Sequence, residues 1–373
     1  MLTPTGDRKS KLRQVECRGG GASMEDIVII GGGLAGSSLG WSLAERGHRP
    51  LILESTTIGG GGATAHSRGM VRLYDDEPRL VALNRDGIGL WADVEVSRPG
   101  IFRRPGMIYA PAPSNRSRIE EFARMESRAA YPAETIDGPT ISGLCGLLGD
   151  HFRRSARSVL WEPLAGYVDP RAGARFFADE AVRLGASLVE GCTVVDLYPA
   201  CDHVVLTTGA GRITARRVIL ASGADTLRLQ QPEGLFARSI NLTSFIDDIA
   251  GAPEICLIDE VSKGYIRPGC RRSYFVGGAI QKDATVPEEL KVDNAAADAQ
   301  NLALSRRILR TRSNSAIASH PGYDAYTSDF LPLIRLPPEE GGAGLFTGFS
   351  GRGAKYIPAM ARRFAASLSG GVG

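Results

Sequence analysis

The sequence predicts an α/β protein of two interleaved domains, one of strands alternating with helices and one dominated by an antiparallel sheet. Three observations carry this. The β-branched run Ile27-Val28-Ile29-Ile30 passes through a glycine-rich turn into a helix and on to a second strand, Leu51–Leu53. Short β runs then crowd residues 187–222 and again about 238–282. The composition is globular: 373 residues, 43% hydrophobic and 23% charged, which excludes collagen-like, coiled-coil and wholly disordered chains. At about 100–200 residues per domain the length suggests two cores.

The net charge of +3 sits in the first residues, where Arg8, Lys9, Lys11, Arg13 and Arg18 outnumber Asp7 and Glu16. The body is neutral, which argues against a nucleic-acid partner. Residues 1–23 have no apolar core of a secretory signal and read as a disordered basic leader, or as sequence upstream of a start at Met24. Ile27 to Ala44 carries no charge, but Gly31, Gly32 and Gly33 would break a helix in mid-bilayer, so no membrane span is expected. The six cysteines are dispersed with no C-x-x-C pair, which suits neither a metal site nor a disulfide framework. Reduced thiols and a cytoplasmic location follow as expectations.

After the turn, Ala35, Leu39 and Leu43 recur as one helical face and Gly47 ends the helix. A helix follows Pro78, with Leu80, Leu83, Leu90, Trp91 and Val94 on one side. Another has Asp169 as N-cap, Pro170 in first position and Gly185 past its end. Strands are read at Ser187–Val189, Thr193–Leu197, Val204–Thr207 and Val218–Ala221, a polar helix at about Pro287–Arg310, and a last helix from Lys355 to Leu368.

Gly31-x-Gly33-x-x-Gly36 follows a strand and opens a helix, and Glu54 closes the next strand. The glycines permit the turn, the close approach of backbone amides (here those of Leu34 and Ala35) to a pyrophosphate, and tight helix–strand packing, while Glu54 suits ribose hydroxyls. This is a Rossmann-like dinucleotide site. A second glycine-rich segment, Gly59 to Arg72, is unexpected for a nicotinamide enzyme.

At that segment the chain resembles the D-amino acid oxidase / sarcosine oxidase superfamily of FAD-dependent amine oxidoreductases. Gly62-Ala63-Thr64 and Gly69-x-x-Arg72 carry the likeness, and the continuation to Trp91 resembles the monomeric sarcosine oxidase branch. Val218-Ile-Leu-Ala-Ser-Gly-Ala224, Tyr326-Thr-Ser-Asp-Phe-Leu-Pro-Leu-Ile334 and Gly348-Phe-Ser-Gly-Arg-Gly-Ala-Lys355 continue it in order, so it covers Asp26 to about Ser369. The resemblance implies a glutathione-reductase-like, Rossmann-like FAD-binding domain of 24–99, 166–225 and 319–373, interleaved with an antiparallel-sheet substrate domain of 100–165 and 226–318. Around FAD it sets Thr64, His66, Ser67, Arg68, Gly69, Met70, Val194, Ser222 and Gly223, with Gly348, Ser350, Gly351, Arg352, Gly353 and Lys355 in the C-terminal loop. It places Arg72 and Lys355 in the active site, both suited to a substrate carboxylate, and Tyr265 and Arg267 on the substrate wall. Lysine is scarce after the leader, which sharpens the interest in Lys355.

The implied activity is FAD-dependent oxidation of the C–N bond of an amino acid, imino acid or related amine to an imine. Two departures bear on it. Asp324 stands where sarcosine oxidases attach flavin through a cysteine, and Phe275 where they place a lysine that assists reaction with oxygen, so the electron acceptor is oxygen or another, unknown one. His66 has the spacing at which the dimethylglycine dehydrogenase branch attaches flavin; it either forms that bond or packs beside the cofactor. An NAD(P)H-using flavin monooxygenase would carry Gly-Asp where this chain has Gly348-Phe349. A plain NAD-dependent dehydrogenase leaves residues 59–72 and 348–355 unexplained.

Overall fold

A computed structural model describes residues 24–129, 131–149, 159–247, 252–278, 281–310, 315–338 and 342–370; the basic leader lies outside them. Strands Glu25–Ile30 and Leu51–Leu53 pair in parallel, as the strand–helix–strand reading requires. Gly211–Leu220 lies parallel on the other side of the first strand, and Ser187–Val189 continues beyond the second. The ten-residue strand Gly211–Leu220 pairs antiparallel with Val204–Thr208 along its first half and parallel with Ala343–Thr347 along its second. An eight-stranded mixed sheet results.

Helix Leu34–Ala44 crosses between the first two strands and is buried along nearly its whole length. It can lie this close because Gly36 has no side chain: a Cβ there would stand 1.8 Å from the Gly31 carbonyl oxygen. Helix Pro170–Arg183 begins where expected, with the Asp169 carboxylate accepting from the amides of Arg171 and Ala172 at 3.0 and 3.1 Å. Against these helices pack Pro78–Ser97 and Ile357–Gly370, around a core that holds Trp41, Trp91 and Phe177, each indole lying 5.0 or 5.5 Å from the phenyl ring between centroids. Each such burial contributes roughly 1.5–3 kcal/mol.

The second sheet has nine strands, from Leu235–Ile246 and Ser315–Thr327 through Ser273–Gly277, Gly264–Pro268 and Cys256–Asp259 to Met107–Ala110, Val159–Glu162 and Glu134–Ile136, with Asp283–Ala284 at the far edge. Its pairings are antiparallel except one. Met107–Ala110 runs parallel to Cys256–Asp259, because two stretches far apart in the chain meet there without a hairpin. Ser315–Thr327 runs unbroken through residue 319, where the sequence suggests a domain boundary, since its pairing with Leu235–Ile246 continues to Thr327.

Two helices start later than expected. The polar helix is Asn294–Ile308, capped by Asp293, after a separate turn at Pro287–Glu289. The last begins at Ile357; Lys355 instead closes a short 3₁₀ turn, Gly353–Lys355. Helices Arg116–Arg128 and Gly138–Leu144 have no counterpart in the sequence reading. Among the described residues no helix is long and apolar enough to cross a membrane.

Candidate active site

One cavity of about 820 Å³ joins the two sheets, reaching from Gly31, Glu54 and Ser222 to Tyr109, Tyr265 and Lys355. At its first end the backbone conformation is set by the sequence. Gly31 has φ +108°, and the helix that follows opens without a cap from its own Gly33; Thr64 Oγ1 accepts the Leu34 amide instead at 2.9 Å. Gly33, Leu34 and Ala35 line the cavity, so the positive end of this helix faces it. Glu54 is buried and fixed by four bonds: Oε2 accepts from Gly32 N at 2.7 Å, and Oε1 from Thr56 N, Thr56 Oγ1 and Ser55 Oγ.

Thr64, Ser67, Arg68, Gly69, Met70, Val194, Ser222 and Gly223 also line the cavity. Arg68 and Arg72 each have a buried Nε without a protein partner, and neither guanidinium is paired with an acid among the described residues. Arg68 lies 4.4 Å over the ring of Phe275, covering it from the cavity. A helix start free of its own cap, a fixed acid at the strand end and a buried guanidinium Nε without a partner on Arg68 and on Arg72 fit FAD; Gly33–Ala35 would hold its pyrophosphate and Glu54 its ribose.

The C-terminal loop forms the opposite wall. Gly348, Ser350 and Gly351 all have positive φ, and the amides of Ser350, Gly351 and Arg352 are taken up within the protein by Ala325 O, the Asp324 carboxylate and Phe349 O. Ser350 tolerates its positive φ because its hydroxyl is engaged locally, donating to Gly348 O and accepting from Thr327 N. Ser350, Gly351, Arg352, Gly353 and Lys355 line the cavity; Gly348 packs behind them on Thr327 and Leu333. Asp324 lines it too, accepting from Ala325 N at 2.7 Å and Gly351 N at 3.1 Å; burial pushes its carboxyl up to about 6.

Lys355 is 1% exposed, and its ammonium is bonded to the carboxylate of Asp75. Arg352 Nη1 bonds the other carboxylate oxygen at 2.7 Å. Burial, with Arg72 close by, lowers the lysine to about 8 against the pull of Asp75. The three cations hold Asp75 well below the usual carboxylate range, against the opposing effect of its own burial. Arg72 lies 5.5 Å over the Tyr109 ring. The segment beyond Arg72 is held by Glu162, whose buried carboxylate accepts from Leu73 N, Tyr74 N and the Tyr131 hydroxyl.

Tyr265 lines the cavity with its ring laid on Gly277, where a Cβ would stand 2.4 Å from the phenol oxygen; burial pushes that hydroxyl up to about 12. Besides Gly348, three expected site residues stand elsewhere. Arg267 shares the strand face of Tyr265 but lies about 6–7 Å further along, where its guanidinium stacks on Tyr167 at 3.8 Å. His66 ends the short helix Gly62–His66 and points to Gly322 rather than into the cavity. Gly36 packs helix on strand. The sequence reading missed Asp75, Tyr109, Glu162 and Gly87. An acid pair at Asp75-Asp76 is visible after Arg72, but nothing local shows which acid meets residue 355.

Comparison with known proteins agrees with this geometry. The sequence model of the family described as FAD dependent oxidoreductase matches residues 26–367. Mitochondrial dimethylglycine dehydrogenase of Mus musculus is 29% identical over 205 residues, which cover 53% of this chain and 23% of that protein. Glycine oxidase of Bacillus licheniformis is 26% identical over 230 residues, covering 57% and 58%. The matches thus span about a quarter to just over half the length of these curated relatives. The crystal structure of L-proline dehydrogenase from P. horikoshii superposes with a TM-score of 0.82 at 18% identity, over 94% of each chain, and shows the fold. The chain belongs to the FAD-dependent oxidoreductase family.

Proposed function

We propose that this FAD-dependent oxidoreductase oxidises the C–N bond of an amino acid, an imino acid or a related amine to an imine, which water then hydrolyses. The observation that carries the reading is the position of Arg72: a cation without an acid partner among the described residues, in the same cavity as the dinucleotide motif. Its guanidinium is suited to a substrate carboxylate, and Tyr265 opposite would close the wall. Lys355 and Arg352 share the Asp75 carboxylate, so Arg72 adds a positive charge without an acid partner among the described residues, which disfavours an ammonium and favours the neutral amine that oxidation requires. FAD, when bound, supplies the redox chemistry by accepting a hydride equivalent from the carbon next to nitrogen.

Residues 100–165 and 226–318 would set specificity, since they build the sheet that covers this end. Oxygen or another acceptor would take the electrons onward. Cys145, Cys192, Cys201, Cys256 and Cys270 are free thiols, which supports a reducing, cytoplasmic setting. The test is anaerobic: D-, L-, N-methyl and cyclic amino acids are mixed with the FAD-loaded protein, and bleaching of the flavin is followed. At least one of these classes is expected to bleach it; a flavin that none reduces would falsify the reading.

A further inference from the structure

The Lys355 ammonium sits at the floor of the cavity, yet its charge is already matched from within the protein. Asp75 is 2% exposed, and both of its carboxylate oxygens are used. Oδ2 accepts from Lys355 Nζ, while Oδ1 accepts from Arg352 Nη1 at 2.7 Å and from Glu77 N at 3.0 Å. The backbone on each side is fixed by other means. Trp91 Nε1 donates to Ala354 O at 2.7 Å, and Gly87 lies against the Lys355 carbonyl. On the acid's side Glu162 holds the amides of Leu73 and Tyr74, and Asn84 Nδ2 donates to Leu73 O at 3.0 Å. Asp75 therefore decides where the ammonium points, rather than whether the two loops are present.

We propose that Asp75 is a positioning residue that anchors Lys355 and Arg352 at the cavity floor and leaves Arg72 as the cation free for the substrate carboxylate. This rests on the substrate reading above. Lys355 then shapes the field and the floor of the site, and the direct contact to a carboxylate passes to Arg72. The charged groups that face the ammonium are Asp75, Arg72 and Arg352.

The test uses the FAD-loaded full chain, with acetate as the carboxylate probe and the flavin absorbance as the signal, between pH 6 and 9.5. Without acetate, the wild-type flavin is expected to report one inflection near pH 8 from Lys355. In Asp75→Asn the midpoint should fall by at least one pH unit, and in Lys355→Met the inflection should vanish. With acetate, wild-type binding should weaken as pH rises through about 8, and in Asp75→Asn that decline should begin at least one pH unit lower, because the lysine loses its charge earlier and leaves Arg72 alone to hold the carboxylate. The double variant should show no inflection, as Lys355→Met alone does, because Asp75 sets that inflection through the lysine.

An inflection that stays in place in Asp75→Asn, or one that survives in the double variant, overturns the proposal. If Asp75→Asn does not load FAD, Asp75→Glu decides: it keeps the charge but displaces it by one methylene, so it should keep the inflection and lose about three- to tenfold in acetate affinity. Unchanged affinity there overturns the proposal too. Absence of acetate binding and of amine-driven bleaching in the wild type would instead sink the substrate reading, while the acetate-free titration still reports on Asp75.

Discussion

Lys355 and Asp75 form a buried ion pair although 280 residues separate them in the chain. A lysine next to the start of the last helix is poorly placed by the helix dipole, which is positive there. The anion that offsets it is an aspartate just beyond the second glycine-rich motif. Burying the pair carries a desolvation cost, which Arg352 on the second oxygen of Asp75 helps to offset.

Lys355→Met is expected to bind FAD and to slow flavin reduction by an amino acid about three- to tenfold, because it removes a positive charge from the field around the substrate carboxylate while the direct contact to Arg72 remains. The effect should be smaller for an amine without a carboxylate. Stopped-flow reduction with both substrate types checks this. Wild-type rates for every substrate would remove Lys355 from the site.

Glu54→Gln should weaken FAD without unfolding the chain. The carboxylate is held by Gly32, Ser55 and Thr56, and glutamine can supply an acceptor on one side only. A loss of about ten- to a hundredfold in affinity follows from losing a charge-assisted bond to the cofactor. Titration of the apoprotein with FAD measures it. An unchanged Kd would mean that Glu54 only braces the glycine turn.

Asp324→Asn should change the pH dependence of stability. Burial raises the Asp324 carboxyl to about 6, above its unfolded value, so the folded protein binds more protons between about pH 4 and pH 6. Wild-type stability from this group is present below that window and is lost as pH rises through about 6. The neutral amide escapes the loss. The Tm of the variant relative to wild type should therefore rise between pH 4.5 and pH 7.5, by the equivalent of about 1 kcal/mol after allowance for partial exposure. A difference in Tm that is flat with pH would count against a buried, raised Asp324.

Gly87→Ala replaces a glycine inside the long helix Pro78–Ser97. Helix propensity alone would favour alanine by about 1 kcal/mol. The new Cβ, however, would stand 1.9 Å from the carbonyl oxygen of Lys355, a backbone atom that cannot rotate away. The loop must shift, at a cost of about 1–3 kcal/mol. A lowered Tm, together with slower flavin reduction resembling that of Lys355→Met, is expected. A raised Tm would show that the loop accommodates the methyl group.

Much of the cofactor half was written in local pattern. A β-branched run, three glycines at fixed spacing, a helical face and an acid at the end of the next strand are consecutive, so their physics is local. The strands Leu51–Leu53 and Ser187–Val189 and the capped start of Pro170–Arg183 lie where the residues placed them. The family resemblance drew on the same short segments. The helix Arg116–Arg128 escaped although Ile119, Phe122 and Ala123 are spaced as one helical face, because charged residues dominate the segment; the long strand Ser315–Thr327 escaped because it is largely polar and contains Pro321 and Gly322.

The sequence alone determined the dinucleotide turn, the family, and the residue types that can meet a carboxylate. Tertiary structure alone decided how those charges are shared. Which acid lies against Lys355, that Arg72 has none among the described residues, that Arg267 stacks on Tyr167 outside the cavity, and that Met107–Ala110 runs parallel to Cys256–Asp259 are all settled by contacts between distant segments. Periodicity and capping act over a few residues of chain. Ion pairing and desolvation act over a few ångströms of space, and only the folded chain brings residues 75 and 355 within that range.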